Sequence, residues 1–349
     1  MRPVASRSLV ALVLALVAPL APPSEVNSAP DPGVPRLSAE AWMLYDAGAD
    51  LVIASRNAEA ERPMASVTKI MTALVVIDQA DLDDETRISA SAADVGESEI
   101  GLVRGELWTV RDLLAAVLIR SANDAAMALA EHVGGSVAGF AELMNQKAAD
   151  LGLEHSHFAN PHGLDEEDHY TSAGDLVLMA RALLADEYLA RLVRTKLITF
   201  KPDPSGVERR ARNTNQLLGV YPGVVGIKTG FTNEAGRVLV SALERNGRTL
   251  IAVVMGSEDH FADARGLLEY GYDFASLDAM FLAPLLEEEG GGAVPSAVPM
   301  TRADRSRLAQ VARLADGRES VSPFVATELG RRVDDWLRST MPVTLGGRP

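Results

Sequence analysis

Ser66 and Lys69 stand three residues apart in the stretch "PMASVTKIMTA", Pro63 to Ala73, at the start of an apolar segment. Residues at that spacing share one helix face, so the hydroxyl and the amine meet if both turn into a cleft. A serine hydroxyl is a weak nucleophile until a base takes its proton, and lysine is such a base only when neutral. An ordinary lysine titrates near 10.4, so a neutral one at pH 7 demands burial and a neighbouring positive charge, together costing roughly 4 to 5 kcal/mol. Taken alone, the pair reads more readily as a helix cap followed by a solvated lysine.

Two more short motifs follow in order: S-x-N at Ser121-Ala122-Asn123 and K-T-G at Lys228-Thr229-Gly230. Each recurs by chance in many chains, but as a set they supply what the first pair lacks. Ser121 offers a hydroxyl that relays a proton to a leaving amine. Asn123 offers an amide that donates and accepts, suited to a peptide-like substrate. Lys228 offers the second positive charge, and with Thr229 a cation and a hydroxyl for a carboxylate. Gly230 removes side-chain bulk where substrate backbone would approach. An extended substrate could add beside this segment as an extra strand, and the backbone N–H groups of Ser66 and Phe231 are candidate donors to an oxyanion.

The elements that must position these residues are legible from periodicity. "AWMLYDAGADLVIASRN" alternates as two short strands joined around Gly48. Ile70, Ala73, Leu74 and Ile77 predict a helix from Ser66 to Ala80. Thr109 and Asp112 suit the start of a helix that breaks near Ser121 to Asp124, before a second helix ending at Gly134-Gly135. Further helices are expected over Phe140–Leu151 and Asp175–Leu184. Strands return at Val224–Gly230, Arg237–Leu243 and Thr249–Gly256, with Asn246-Gly247 as a hairpin turn, and a helix over Ala262–Phe274 follows. Strands, then helices, then strands and a helix imply an α+β fold whose two ends share one antiparallel sheet.

The 349 residues are 47% hydrophobic, enough for a sizeable core. A net charge of −15 with scattered basic residues argues against a nucleic-acid surface. No cysteine is present, which excludes disulfides, thiolate metal sites and a cysteine nucleophile. His155, His157, His162 and His169, near Asp165 to Asp168, form the one His/acid cluster, but the spacing matches no compact ligand motif, so neither a metal nor a cofactor is expected. Arg2 and Arg7 precede a short apolar run read as a secretory signal over residues 1–28, cleaved after Ser28 or kept as an anchor. A spacer (29–36), a main domain (37–285), a Gly/Pro linker (286–300) and a short helical or partly disordered tail (301–349) complete the expected layout, with no clear C-terminal membrane anchor.

The three motifs, with "SANDAAMALAEHVGG", "ANPHGLDEEDHYTSAGDL" and "GIKTGFTNEAGRVLVSAL", resemble the serine D-alanyl-D-alanine carboxypeptidases, low-molecular-mass penicillin-binding proteins of the β-lactamase/transpeptidase-like superfamily. The resemblance covers about Leu37 to Phe274. It implies an antiparallel sheet flanked by helices with an all-helical subdomain. It also implies Ser66 as acyl-enzyme nucleophile, Lys69 as base, Ser121 as relay and Lys228 as carboxylate binder. The implied substrates are peptidoglycan stem peptides in the cell envelope, with β-lactam antibiotics as inhibitors. Endopeptidase action on D-alanine cross-links uses the same residues. A β-lactamase would need a glutamate-activated water, but "ELMN" at Glu142 to Asn145 departs from E-x-x-L-N, so Glu142 reads as helix surface. One departure concerns the carboxylate: the family's arginine before the closing "LL-x-x-G" is replaced by His260, with Arg265 nearer the helix interior.

Overall fold

The computed structural model of the chain describes residues 34–200 and 208–281. The expected signal segment, linker and tail, and most of the expected spacer, lie outside these residues.

The chain opens with β1 (Ala41–Asp46), β2 (Leu51–Arg56) and β3 (Arg62–Pro63), then a 3-10 turn (Ala65–Thr68) leading into α1 (Lys69–Gln79). Next come β4 (Glu85–Arg87), α2 (Ala90–Ala93), β5 (Leu107–Thr109) and α3 (Val110–Ala115), which widens into a π-helical turn (Ala116–Arg120). Then α4 (Asn123–Gly134), α5 (Val137–Asp150), β6 (Tyr170–Thr171), α6 (Ala173–Ala185) and α7 (Glu187–Arg194) follow. The strands β7 (Leu197–Thr199), β8 (Arg210–Arg212), β9 (Val224–Thr232), β10 (Gly236–Arg245) and β11 (Arg248–Ser257) precede α8 (His260–Phe281).

The main sheet has the order β2-β1-β11-β10-β9 and every pairing is antiparallel, so the two ends of the domain are joined where β1 meets β11. Alternation along each strand gives the sheet two apolar faces. Val238, Val240, Ala242, Ile251 and Val253 face the helical layer and pack with α1, α4 and α6. Leu239, Leu243, Ala252 and Val254 face the other way, onto Ala264, Leu267 and Leu268 of α8. The β10–β11 turn is the expected one, with both Asn246 (φ 51°) and Gly247 (φ 76°) in the left-handed region.

The first expected helix is divided. Ser66 lies in the 3-10 turn and α1 begins only at Lys69. Side chains three apart eclipse in a 3-10 turn, so the pair still shares one side. The break after α3 falls where the sequence placed it: Ser121 is left-handed (φ 67°, ψ 35°), and α4 ends at Gly135 with φ 69°.

Candidate active site

Lys69 is wholly buried, which overturns any reading of it as a solvated surface residue. Its Nζ lies 3.1 Å from Ser66 Oγ, 2.7 Å from Asn123 Oδ1 and 2.5 Å from the His162 carbonyl. The two carbonyl oxygens only accept, whereas the hydroxyl has a proton to give. A neutral amine fits this cage: two N–H bonds go to the carbonyls and the lone pair faces the Ser66 hydroxyl. Burial, and secondarily the charge of Lys228, push Lys69 well below the ordinary lysine range, against smaller opposing effects of Glu97 and Asp124.

Lys228 points to the same side from β9. Its Nζ donates to Ser121 Oγ at 2.8 Å and to its own neighbour's carbonyl, Thr229 O, at 2.8 Å. Burial first, and Arg120 second, lower it to about 7. Both lysines of this dry cluster therefore give up a proton more readily than an ordinary lysine, and Lys228 carries its charge below neutral pH.

Local geometry explains how each group is held. Ala65 is buried in the left-handed region (φ 51°), which an alanine adopts only where its surroundings over-determine it. Those surroundings are specific. His169 accepts the Ala159 N–H at Nδ1, so its Nε2–H donates to Thr68 Oγ1 (2.9 Å), and the Thr68 hydroxyl donates to the Ala65 carbonyl (2.7 Å). Gly163, with φ 91°, lies against the same carbonyl, and a Cβ there would fall 2.0 Å from Ala65 O. Asn160 accepts the N–H groups of His162 and Gly163, fixing the turn that presents the His162 carbonyl to Lys69. Both His162 and His169 are kept neutral chiefly by burial, at about 3 and about 4.

Asn123 is almost fully buried: Oδ1 accepts from Lys69, Nδ2 donates to the Gly96 carbonyl (3.1 Å), and its backbone N–H donates to Ser98 O (2.6 Å). This leaves one amide hydrogen for a substrate and makes the residue first a clamp between Lys69 and the loop before β5. Asp124 secures that loop by accepting the N–H groups of Ile100 and Leu102.

Gly230 borders the cleft and also has a packing reason. A Cβ there would sit 3.0 Å from both Ser66 N and Ala65 Cβ, so the missing side chain lets the 3-10 turn pack onto β9.

A cleft of about 290 Å³ opens at this junction, lined by Ser66, Ser121, Thr229, Gly230, Phe231 and residues that motif reasoning missed. Those are Ser98, Thr214, Gln216, Arg237 and Phe261, while His260, already marked by its place at the family's arginine position, also lines the cleft. Thr214 Oγ1 and Thr229 Oγ1 share a hydrogen bond of 2.7 Å. Arg237 was findable: with a short turn after β9, it falls opposite Phe231. Arg265 does not line the cleft; its side chain is 56% exposed and approaches Glu269 at 3.9 Å. Glu142 is exposed on α5, and Asn145 is committed to the backbone of Phe158. Among the described residues no group of three or more His, Asp or Glu side chains converges as a metal site.

A family model described as D-alanyl-D-alanine carboxypeptidase matches residues 26–259. The chain belongs to this family. DacF of Bacillus subtilis, a D-alanyl-D-alanine carboxypeptidase, is 36% identical over 67% of the chain and 62% of its own length. DacB2 of Mycobacterium tuberculosis, of the same description, is 34% identical over 71% of the chain and 87% of its own. The chain thus spans less than two thirds of DacF and most of DacB2. The Streptomyces K15 DD-transpeptidase superposes with a TM-score of 0.66 at 32% identity, over 69% of the chain and 99% of that enzyme. The fold expected from the resemblance, an antiparallel sheet flanked by helices, is the one observed.

Proposed function

We propose that this D-alanyl-D-alanine carboxypeptidase family member is an exported serine peptidase that removes the terminal D-alanine from peptidoglycan pentapeptide stems. The observation that carries the reading is the buried Lys69 amine facing Ser66 Oγ, with Lys228 and Ser121 hydrogen-bonded beside it. Lys69 takes the Ser66 proton as Oγ bonds to the carbonyl carbon of the penultimate D-alanine. The backbone N–H groups of Ser66 and Phe231 receive the developing oxyanion. The proton passes through Ser121 to the departing amine, the C–N bond breaks, and D-alanine leaves. Water then attacks the Ser66 ester and the shortened stem is released, returning the proton to Ser66.

β-Lactams present a strained amide to the same serine, so the chain is also a penicillin-binding protein in this reading. Export rests on Arg2, Arg7 and the apolar run that follows them. Among the described residues no helix is long and apolar enough to cross a membrane.

The test offers a pentapeptide stem and a D-alanine cross-linked dimer side by side, together with intact mass after penicillin exposure. Free D-alanine from the stem, and one adduct absent in Ser66→Ala, support the carboxypeptidase reading. Release of monomers selects endopeptidase action, transfer of the acyl group to an added amine selects transpeptidation, and rapid penicillin turnover selects a β-lactamase.

A further inference from the structure

We infer that Arg237 of β10 is the cation that receives the substrate's terminal carboxylate, taking the place of the family arginine that His260 has replaced. This rests on the peptidase reading and adds to it a specificity residue outside the three motifs.

Strand register carries the first step. Arg237 lies directly across from Phe231, and Leu239 across from Thr229. Opposite residues project to one face, as do residues two apart, so Thr229, Phe231 and Arg237 share a face while Lys228 and Gly230 share the other. The guanidinium stands 5.9 Å from the centroid of the Phe231 ring, itself 62% exposed, and Arg237 lines the cleft with Ser66 and Thr229. Diagonal neighbours in an antiparallel pair lie about 7 to 8 Å apart, within reach of a side chain as long as arginine.

The guanidinium is also uncommitted. Nη1 donates to the Glu258 carbonyl at 3.1 Å, and among the described residues no carboxylate lies within ion-pair distance of Arg237. Its remaining N–H groups form a planar fork that matches a carboxylate.

The other cations near the cleft are less suited: Arg120 reaches Ser98 Oγ at 3.4 Å from the π-helical turn and does not itself line the cleft. Arg265 approaches Glu269 on the outside of α8. Lys228 is tied to Ser121 and Thr229 O, and its charge fades near neutral pH. His260 does line the cleft, yet burial and then Arg237 itself hold it below the ordinary histidine range, so it stays neutral beside the arginine. Its Nδ1 is buried without a hydrogen-bond partner and is not presented to the cleft. The permanent charge thus comes from the strand, not from the histidine.

The experiment compares Ser66 acylation by benzylpenicillin and by its methyl ester in wild type, Arg237→Ala and Arg237→Lys. A charge-assisted bond is worth about tenfold to a hundredfold. Arg237→Ala should lose at least about tenfold with the free acid and little with the ester, and Arg237→Lys should lose less. His260→Arg in the Arg237→Ala background should restore preference for the acid. Equal losses on acid and ester, or an unchanged acid-to-ester ratio in an enzyme that still acylates, overturn the assignment and leave the peptidase reading standing. Binding to the Ser66→Ala protein separates the two claims: N-acetyl-D-alanyl-D-alanine should bind tighter than its amide only while Arg237 is present. That result, together with a wild-type protein whose Ser66 is acylated neither by penicillin nor by the stem peptide, would uphold the carboxylate site and overturn the peptidase reading.

Discussion

The two sides of β9 are built from the same strand and do opposite kinds of work. On the helical side, Lys228 and Gly230 face Ser66, Lys69 and Ser121, and both lysines are almost completely removed from solvent. The side chains of Thr229, Phe231 and Arg237 turn the other way and line the open part of the cleft that Ser66, Ser121 and Gly230 also border, with Phe231 largely exposed. Burial makes a lysine's charge adjustable, because the ammonium loses hydration that the amine does not need. Exposure leaves a guanidinium charged at every relevant pH. The buried side therefore suits proton transfer and the open side suits recognition. One strand serves both because consecutive side chains alternate in direction.

The sharpest break of this contrast is Lys69→Arg. A guanidinium cannot become neutral in the cage around Ser66, so acylation by penicillin should fall by about 10² to 10⁴-fold although side-chain length and hydrogen-bond donors are nearly kept. Stopped-flow acylation on a folded variant measures this, and retention within tenfold would mean that the buried side does not act through a neutral amine.

Lys228→Gln tests whether the two lysines are coupled. Removing its positive charge lets Lys69 hold a proton more tightly, so the acid limb of Ser66 acylation should move to higher pH. The methyl ester of penicillin is the right probe, since it takes carboxylate binding out of the profile. Arg237→Ala on the open side should leave that limb where it is. An unmoved limb in Lys228→Gln, or equal movement in both variants, contradicts the division between the two sides.

The smallest effect concerns the support behind the buried side. His162 and His169 are held at about 3 and about 4 in the fold, against 6.5 in an unfolded chain. Between those values the unfolded chain binds protons that the folded chain refuses. Their contribution is complete above pH 6.5 and is lost as pH falls toward 4, by up to about 1.4 kcal/mol per pH unit for each histidine. Urea melts across that range should show the decline, with a shallower slope in His169→Gln; the same slope in both proteins would count against this account.

Much of the site was legible before any coordinates. The Ser66–Lys69 spacing, the interrupted helix at Ser121 and the strand bearing Lys228 follow from periodicity and from turn chemistry, which act over a few residues. The Asn160–Gly163 turn was visible as a segment but not as a device, because a backbone carbonyl carries no sequence signal of its own. The packing role of Gly230 was not legible, because the 3-10 turn that lies against it is more than 160 residues away in the chain. Arg265 was a candidate because it lies near His260 in sequence, whereas Arg237 lies near it in space.

The sequence by itself determined which elements form, which motifs they carry and the family to which those motifs point, since local propensity and alternation need no partner. Only the tertiary structure decided that Lys69 is dry enough to be a base, that Lys228 supplies the neighbouring charge, and that Arg237 faces the cleft. Those are matters of desolvation and of cross-strand register, and both arise only when distant segments close on one another.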